Sequence, residues 1–145
     1  MTLRILPDNL TICKVSSITD IDFSSCLYFV GRTSEEISLV CRREDTPLNT
    51  TEREDGWRAF YVEGPLDFSL TGVLSKISTV LAENGIPIFA VSTFNTDYIL
   101  VKAEKREEAM EALENAGYEC NPAIYDSFRP QTCGDLISRI LVFVS

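Results

Sequence analysis

The chain has 145 residues, 45% of them hydrophobic, which suffices for one ordinary domain or for two very small modules with a packed core. Its formal net charge of -9 and its lack of histidine argue against nucleic acid as a partner, because phosphate-backbone binding needs clustered Lys and Arg. No run reaches the roughly 18 apolar residues of a membrane helix, and residues 1–7 lack the apolar core of a signal peptide. We therefore expect no membrane partner and a cytoplasmic location.

Short runs of β-branched and aromatic residues, separated by polar turn-forming residues, predict three strands at 10–15, 26–30 and 37–41. The segment between the first two strands is too short and too rich in Ser and Asp for a stable helix. Residues 42–56 are densely charged and lack apolar periodicity, so we expect an exposed connector there.

A second series of elements begins with a predicted strand at 57–63 and an amphipathic helix at 70–84, which Gly85 ends. The buried face of that helix is formed by Val73, Leu74, Ile77, Val80 and Leu81. Residues 86–93 are apolar on both faces, which predicts a central strand, and 98–102 form its hairpin partner.

A charged, alanine-rich helix at 104–116 and a last strand at 118–121 complete this series. The order is strand, helix, strand, strand, helix, strand. This order predicts an α+β, ferredoxin-like fold, with an antiparallel sheet backed by two helices.

The two halves of the chain also look alike. Residues 30–40 align without a gap with residues 91–101 at an offset of 61, and an acid, Glu36 or Asp97, falls at the same place in each. The first half is therefore interpreted as a reduced copy of the second.

The cysteines are expected to be small buried apolar residues, because they show neither a C-x-x-C spacing nor a histidine partner for a metal. They are Cys13, Cys26, Cys41, Cys120 and Cys133. We predict no metal site and no cofactor.

A candidate ligand site combines the start of the first long helix with the following hairpin. Asp67 or Ser69 is expected to cap that helix, and Gly72 in its first turn costs about 1 kcal/mol relative to Ala, which suggests close approach of a ligand or a backbone. The free N–H groups of a helix start attract an anion, and Asp97 attracts a cation. A free amino acid carries both charges. The alternatives are that Asp67 only caps the helix and that residues 93–97 are an ordinary turn.

Residues 64–93 together with FNTDYILV resemble the ACT domain family. Within it they are similar to paired ACT modules, as in aspartate kinase regulatory domains and arginine sensors of the CASTOR type. The resemblance covers 57–118 well and 10–41 more loosely. Its most specific piece is STFNTD, which is similar to the Ser-Thr-Phe-x-x-Asp hairpin that holds the ligand in those sensors.

The resemblance implies a division into residues 1–56 (a reduced ACT-like module and connector), 57–122 (the ACT domain) and 123–145 (a tail whose role stays open). It also implies an amino acid pocket between ACT modules, lined by the hairpin, the helix start and the hairpin of another module. The implied pocket residues are Thr93, Phe94, Asp97, Leu70, Thr71, Gly72, Val73, Ser38 and Leu39.

The expected function is that of a non-catalytic regulatory protein that binds a free amino acid, with a homodimer and a regulated partner protein as its protein partners. The alternative is a protein–protein interaction or dimerisation module without a ligand. An enzyme of the acylphosphatase kind is a third hypothesis, but the sequence lacks the glycine-rich basic loop and the histidine that such chemistry uses.

Overall fold

The computed structural model describes residues 1–64 and 71–123. Within them the chain forms two compact units. Residues 1–8 and 56–123 form the helical unit, and residues 9–55 form the four-stranded unit. Leu70, the expected caps Asp67 and Ser69, Cys133 and the tail beyond residue 123 lie outside the described residues.

The described residues contain eight strands and two α-helices, in an order close to the predicted one. They are β1 (Thr2–Ile5), β2 (Leu10–Val15), β3 (Tyr28–Arg32), β4 (Ile37–Arg42), β5 (Thr50–Val62), α1 (Val73–Glu83), β6 (Phe89–Ser92), β7 (Asp97–Lys102), α2 (Arg106–Asn115) and β8 (Glu119–Pro122). Neither helix is long and apolar enough to cross a bilayer.

The sheet of the helical unit has the strand order β6-β7-β5-β1-β8. Adjacent strands in this sheet are antiparallel, except for β1 and β8, which are parallel to each other. From β5 to β8 the chain follows the predicted strand, helix, strand, strand, helix, strand order, so the α+β ferredoxin-like fold is confirmed. The additional strand β1 lies between β5 and β8 and was not found in the sequence.

One face of this sheet packs against both helices. The alternation of β5 and β7 directs every second side chain to that face, where α1 and α2 present apolar residues three and four apart. The most deeply buried members of this core, each at most 1% exposed, are Leu3, Phe60, Val62, Ile77, Leu81, Ile99, Val101, Ala109 and Leu113.

Both helices end at the predicted glycines. Gly85 has φ 69° and Gly117 has φ 98°, a left-handed conformation that glycine adopts without steric cost. At the end of α1, the Ile86 N–H donates to the Leu81 carbonyl at 2.9 Å and the Gly85 N–H donates to the Ala82 carbonyl at 3.0 Å. This pair of bonds is a Schellman motif, which satisfies carbonyls that the helix leaves without a partner.

The four-stranded unit has the strand order β3-β4-β2-β5, to which β5 contributes its first half. If the four strands of this unit are numbered along the chain from β2 to β5, they lie side by side in the order second, third, first, fourth. The strands β5 to β8 of the helical unit, numbered in the same way and without β1, follow the same order. Short 3-10 turns at Ile18–Asp20 and Arg43–Asp45 stand where the helical unit has helices. The four-stranded unit is thus the expected reduced copy.

Two sequence predictions fail in detail. The connector expected at 42–56 is a strand from Thr50 onward, and its side chains at 51–55 are exposed. A charged strand of this kind fits a sheet edge, where charge prevents unwanted pairing. The strand expected at 86–93 is shorter, and among the described strands β6 pairs with β7 alone.

The hairpins of the two units are equivalent at an offset of 60 residues, not 61. Arg32 pairs with Ile37 at the end of one ladder, and Ser92 pairs with Asp97 at the end of the other. Asp97 therefore corresponds to Ile37, and the alignment of Asp97 with Glu36 is wrong. A shift of one residue in the alignment moves each side chain to the opposite face of the strand. Glu36 and Asp97 are therefore not equivalent, and the acid is not repeated in the two hairpins.

Candidate ligand site at the β6–β7 hairpin

Three segments of the helical unit meet at one edge of its sheet. Both β5 and β6 run antiparallel to β7, so they are parallel to each other, and α1 connects them. The N-terminus of α1 therefore lies at the edge where β5 and β6 end. The hairpin loop 93–96 is at the same edge, as the sequence interpretation required.

The hairpin loop is fixed to the end of β5 through Thr96, which is 8% exposed. Its hydroxyl donates a short hydrogen bond to the carbonyl of Val62, the last residue of β5. Its N–H donates to Thr93 Oγ1 at 3.2 Å, and the Thr93 hydroxyl and N–H both donate to the Thr96 carbonyl, at 2.9 and 2.8 Å. These bonds hold the loop in one conformation beside the end of β5.

Thr96 was not among the predicted site residues. A signal for the loop geometry was nevertheless present, because each hairpin loop begins with a threonine. Thr33 caps its own loop as Thr93 does, with its N–H donating to the Glu36 carbonyl at 2.9 Å.

Asp97 opens β7 and is directed by Ser92. The Ser92 hydroxyl donates to Asp97 Oδ1 at 2.7 Å, across the pair that ends the ladder. Strand alternation places Asp97 on the same face as Ile99 and Val101, which is the face that the helices cover. A carboxylate accepts several hydrogen bonds through its two oxygens, so an Asp97 oriented by Ser92 suits an ammonium or guanidinium group.

The start of α1 offers backbone donors to an anion. Gly72 is its N-cap residue, at φ 78°, and no side chain caps the first turn in the part of the chain described. The Gly72 carbonyl accepts from the Lys76 N–H at 2.9 Å, which sets the first helical turn. Val73 is half-buried against the core, and Thr71 is exposed.

The reason for glycine at position 72 differs from the expectation. A Cβ atom placed there would meet nothing within 4 Å, so no backbone among the described residues approaches it closely. The left-handed φ requires glycine instead. The helix also begins three residues later than predicted, with Gly72 at the N-cap position that was expected to hold Asp67 or Ser69.

The remaining predicted residues have different environments. Phe94, at the tip of the hairpin, is 79% exposed. Ser38 and Leu39 lie in the middle of β4; Ser38 is half-buried, whereas Leu39 is 1% exposed in the core of the four-stranded unit. The structure thus brings Gly72, Val73, Thr93 and Asp97 to one edge of the helical unit.

The fold and this edge define a ferredoxin-like α+β protein with an acid on the hairpin at the edge where the first helix starts. Residues 52–115 match the sequence model of the ACT domain. The chain belongs to the ACT domain family.

Solved structures agree with this assignment. The protein Atu0741 from Agobacterium tumefaciens is 31% identical with a TM-score of 0.75, and the match covers 86% of this chain and 94% of that one. A Vibrio cholerae protein of unknown function, described as a possible transport protein, is 22% identical with a TM-score of 0.62 over 77% of this chain and 86% of that one.

The regulatory subunit of aspartate kinase from Thermus thermophilus, in a ligand-free form, is 12% identical with a TM-score of 0.58. That match covers 81% of this chain and 97% of the subunit. At this identity, as for the Vibrio protein, the likeness concerns the fold alone. A comparison with curated proteins gives no match.

Proposed function

We propose that this chain is a non-catalytic regulatory ACT-domain protein that binds a free amino acid at the hairpin edge of the helical unit. The observation that carries the proposal is the placement of Asp97, which Ser92 orients on the helix-covered face at the edge where α1 begins, with Gly72 as its N-cap residue. The α-ammonium group would pair with Asp97, and the α-carboxylate would accept from the first N–H groups of α1.

The role of the hairpin loop in this proposal is to hold the acid still. Thr93 and Thr96 fix the loop before any ligand arrives, so little conformational entropy is lost on binding. Phe94 is 79% exposed at the tip of the loop and would fold over the bound amino acid. The predicted opposite wall would come from a second copy in a homodimer and would use the half-buried Ser38, because Leu39 is 1% exposed within its own core.

Regulation would follow from binding that favours one state over another. A ligand shifts such an equilibrium only by its difference in affinity for the two states. The regulated partner protein would therefore recognise a surface that changes when the hairpin edge is occupied. The described residues of this edge pair no nucleophile with a general base, so we propose no catalysis.

A thermal-stability screen against each proteinogenic amino acid tests the proposal. A ligand that binds only the native state adds RT ln(1 + [L]/Kd), about 2.7 kcal/mol at a hundred times Kd. Asp97→Asn should abolish the shift, because the neutral amide keeps the shape of the side chain and loses its charge. Glu111→Gln, an exposed acid on α2, is the matched control and should keep the full shift.

Two results would contradict amino acid binding at this edge. One is the absence of any shift, and of any heat in calorimetric titration, at millimolar amino acid with a folded sample. The other is a shift that Asp97→Asn and Glu111→Gln both retain.

One observation favours the alternative of an interaction module without a ligand. Phe94 exposes 79% of its surface at the tip of a rigid loop, a position suited to a protein contact. In that case Phe94→Ala would weaken self-association or partner binding, while no amino acid would change the mass measured by light scattering.

A further inference from the structure

The four-stranded unit holds two buried cysteines on neighbouring strands. Cys13 of β2 pairs with Leu39 in the ladder, and Cys41 of β4 pairs with Thr11, so the two cysteines are diagonal neighbours on one face of the sheet. They are 4% and 2% exposed and belong to the same core. Diagonal Cα atoms lie about 7–8 Å apart, with the side chains closer.

The two thiols have opposite acid–base properties. The interaction with Cys13 lowers the pKa of Cys41, with a further contribution from Thr46, whose Oγ1 is 3.6 Å from Cys41 Sγ. The same interaction, together with burial, raises the pKa of Cys13. Cys41 is therefore the thiol that ionises first, and Cys13 retains its proton.

A charged and exposed ion pair lies near the two thiols. The Arg53 guanidinium, which is exposed, contributes to the electrostatic environment of both thiols. It pairs with Asp55 at 3.0 Å, and both side chains are 39% exposed. Asp55 also accepts from the hydroxyl of Thr11, the ladder partner of Cys41, at 2.7 Å. The ion pair therefore marks the side from which a small oxidant would approach the sulfurs.

We propose that Cys13 and Cys41 form a reactive dithiol, which a peroxide oxidises to an intramolecular disulfide. The Cys41 thiolate attacks one oxygen of hydrogen peroxide, the O–O bond breaks, and hydroxide leaves and is protonated to water. The Cys13 sulfur then loses its proton and attacks the Cys41 sulfenic acid, and the S–O bond breaks with loss of a second water. Both sulfurs are oxidised and both peroxide oxygens are reduced.

The diagonal placement makes this disulfide reversible. Disulfides usually join Cα atoms 4.4–6.8 Å apart, so closing the bond requires β2 and β4 to approach by roughly 1 Å. A bond formed under such strain is easily reduced. The site would therefore act as a redox switch on the strands of the four-stranded unit.

Mass spectrometry of the full chain, reduced and then treated with hydrogen peroxide at pH 7, tests the proposal. Cys26 is disulfide-bonded as well, so the diagnostic result is a non-reducing peptide map that joins the Cys13 and Cys41 peptides, with a loss of about 2 Da for that bond. Cys13→Ser should leave a sulfenic acid on Cys41 that dimedone traps, and Cys41→Ser should slow oxidation of Cys13 at least tenfold. Cys120→Ser is the control and should behave as wild type, because burial raises the pKa of the Cys120 thiol to about 11.

Three results would overturn the proposal. The first is a non-reducing peptide map in which Cys13 and Cys41 are not linked to each other. The second is equal oxidation rates for Cys41 in Cys13→Ser and Cys13 in Cys41→Ser. The third is reaction of the pair in urea only, which would make both thiols inert core residues. Circular dichroism verifies the fold of each variant, and alanine replaces serine wherever the buried hydroxyl prevents folding.

Discussion

At the scale of single residues, the hydroxyl of Thr96 has the largest influence on the site. It bonds to another strand, β5, through the carbonyl of Val62. The threonine methyl and hydroxyl differ little in volume from the two methyl groups of valine. Replacement by valine therefore isolates the hydrogen bond from the packing.

We expect Thr96→Val to lower the free energy of unfolding by about 1–3 kcal/mol, because the buried carbonyl of Val62 loses its partner. Urea unfolding followed by Trp57 fluorescence measures this change. Ser34→Ala, at an exposed position of the equivalent loop in the four-stranded unit, should change stability by less than about 0.5 kcal/mol. Equal effects of the two substitutions would contradict an anchoring role for Thr96.

A second residue-scale prediction concerns Asp55. Hydrogen bonds from Arg53 and Thr11 lower the pKa of this carboxyl below its usual 3.8. A carboxyl whose pKa is lower in the folded state contributes stability that is present above its unfolded pKa and is lost as pH falls through the folded value. The contribution of Asp55 should therefore be present at pH 5 and disappear below about pH 4.

Thermal unfolding between pH 2.5 and 6 tests this prediction. Asp55→Asn should lower Tm at pH 5 to 6, and its curve should converge with that of wild type below about pH 4. Glu111→Gln should run parallel to wild type over the whole range. A constant difference between wild type and Asp55→Asn at every pH would show that the loss comes from packing, not from charge.

At the scale of elements, the periodicity of hydrophobic residues was sufficient to predict the helices and most of the strands. Val73, Ile77 and Leu81 mark α1 because a helix repeats every 3.6 residues over many turns. Gly85 and Gly117 mark the helix ends for a stereochemical reason that requires no tertiary context. These features are encoded locally, and so they could be predicted from one sequence.

The missed elements depend on partners far away in the chain. The four residues of β1 are too few to show alternation, and their neighbours β5 and β8 lie more than fifty residues later. The charged residues 51–55 contain no apolar pattern, yet they continue β5 and lie beside β2. The candidate site was found only in part for the same reason: Asp97 stands in a recognisable motif, whereas the contact between Thr96 and Val62 is tertiary.

The position of β1 gives an element-scale prediction. Leu3 is fully buried in the core between the sheet and the helices of the helical unit. Leu3→Ala should lower the free energy of unfolding by about 2–5 kcal/mol, the usual cost of a cavity at a buried leucine. Chemical denaturation measures it, and Leu48→Ala, at a fully exposed leucine, is the matched control and should be close to neutral.

A loss of less than about 1 kcal/mol for Leu3→Ala would mean that β1 is a loosely attached strand. Hydrogen exchange of the Thr2 and Arg4 amides would then be fast. In the structure, β1 pairs on both sides, antiparallel with β5 and parallel with β8, so slow exchange is expected along it.

At the scale of the whole molecule, the net charge of -9 opposes the association of two copies. Like charges on two chains repel over about 30 Å at 0.01 M ionic strength, but over only about 3 Å at 1 M. If the proposed homodimer forms through apolar and backbone contacts, salt leaves these contacts in place and reduces the charge repulsion that opposes dimerisation. Dimerisation should therefore strengthen as salt is added.

Sedimentation equilibrium at 0.01, 0.15 and 0.5 M NaCl and pH 7 measures this dependence. We expect the dimer dissociation constant to fall by about tenfold or more across the series, since screening a repulsion of about 1.4 kcal/mol gives that factor. Lys105→Glu, which makes each chain more acidic at a side chain that is 41% exposed, should weaken the dimer at 0.01 M and have little effect at 0.5 M. A monomeric mass at every salt and protein concentration would exclude the homodimer, and an amino acid site shared by two copies would then be impossible.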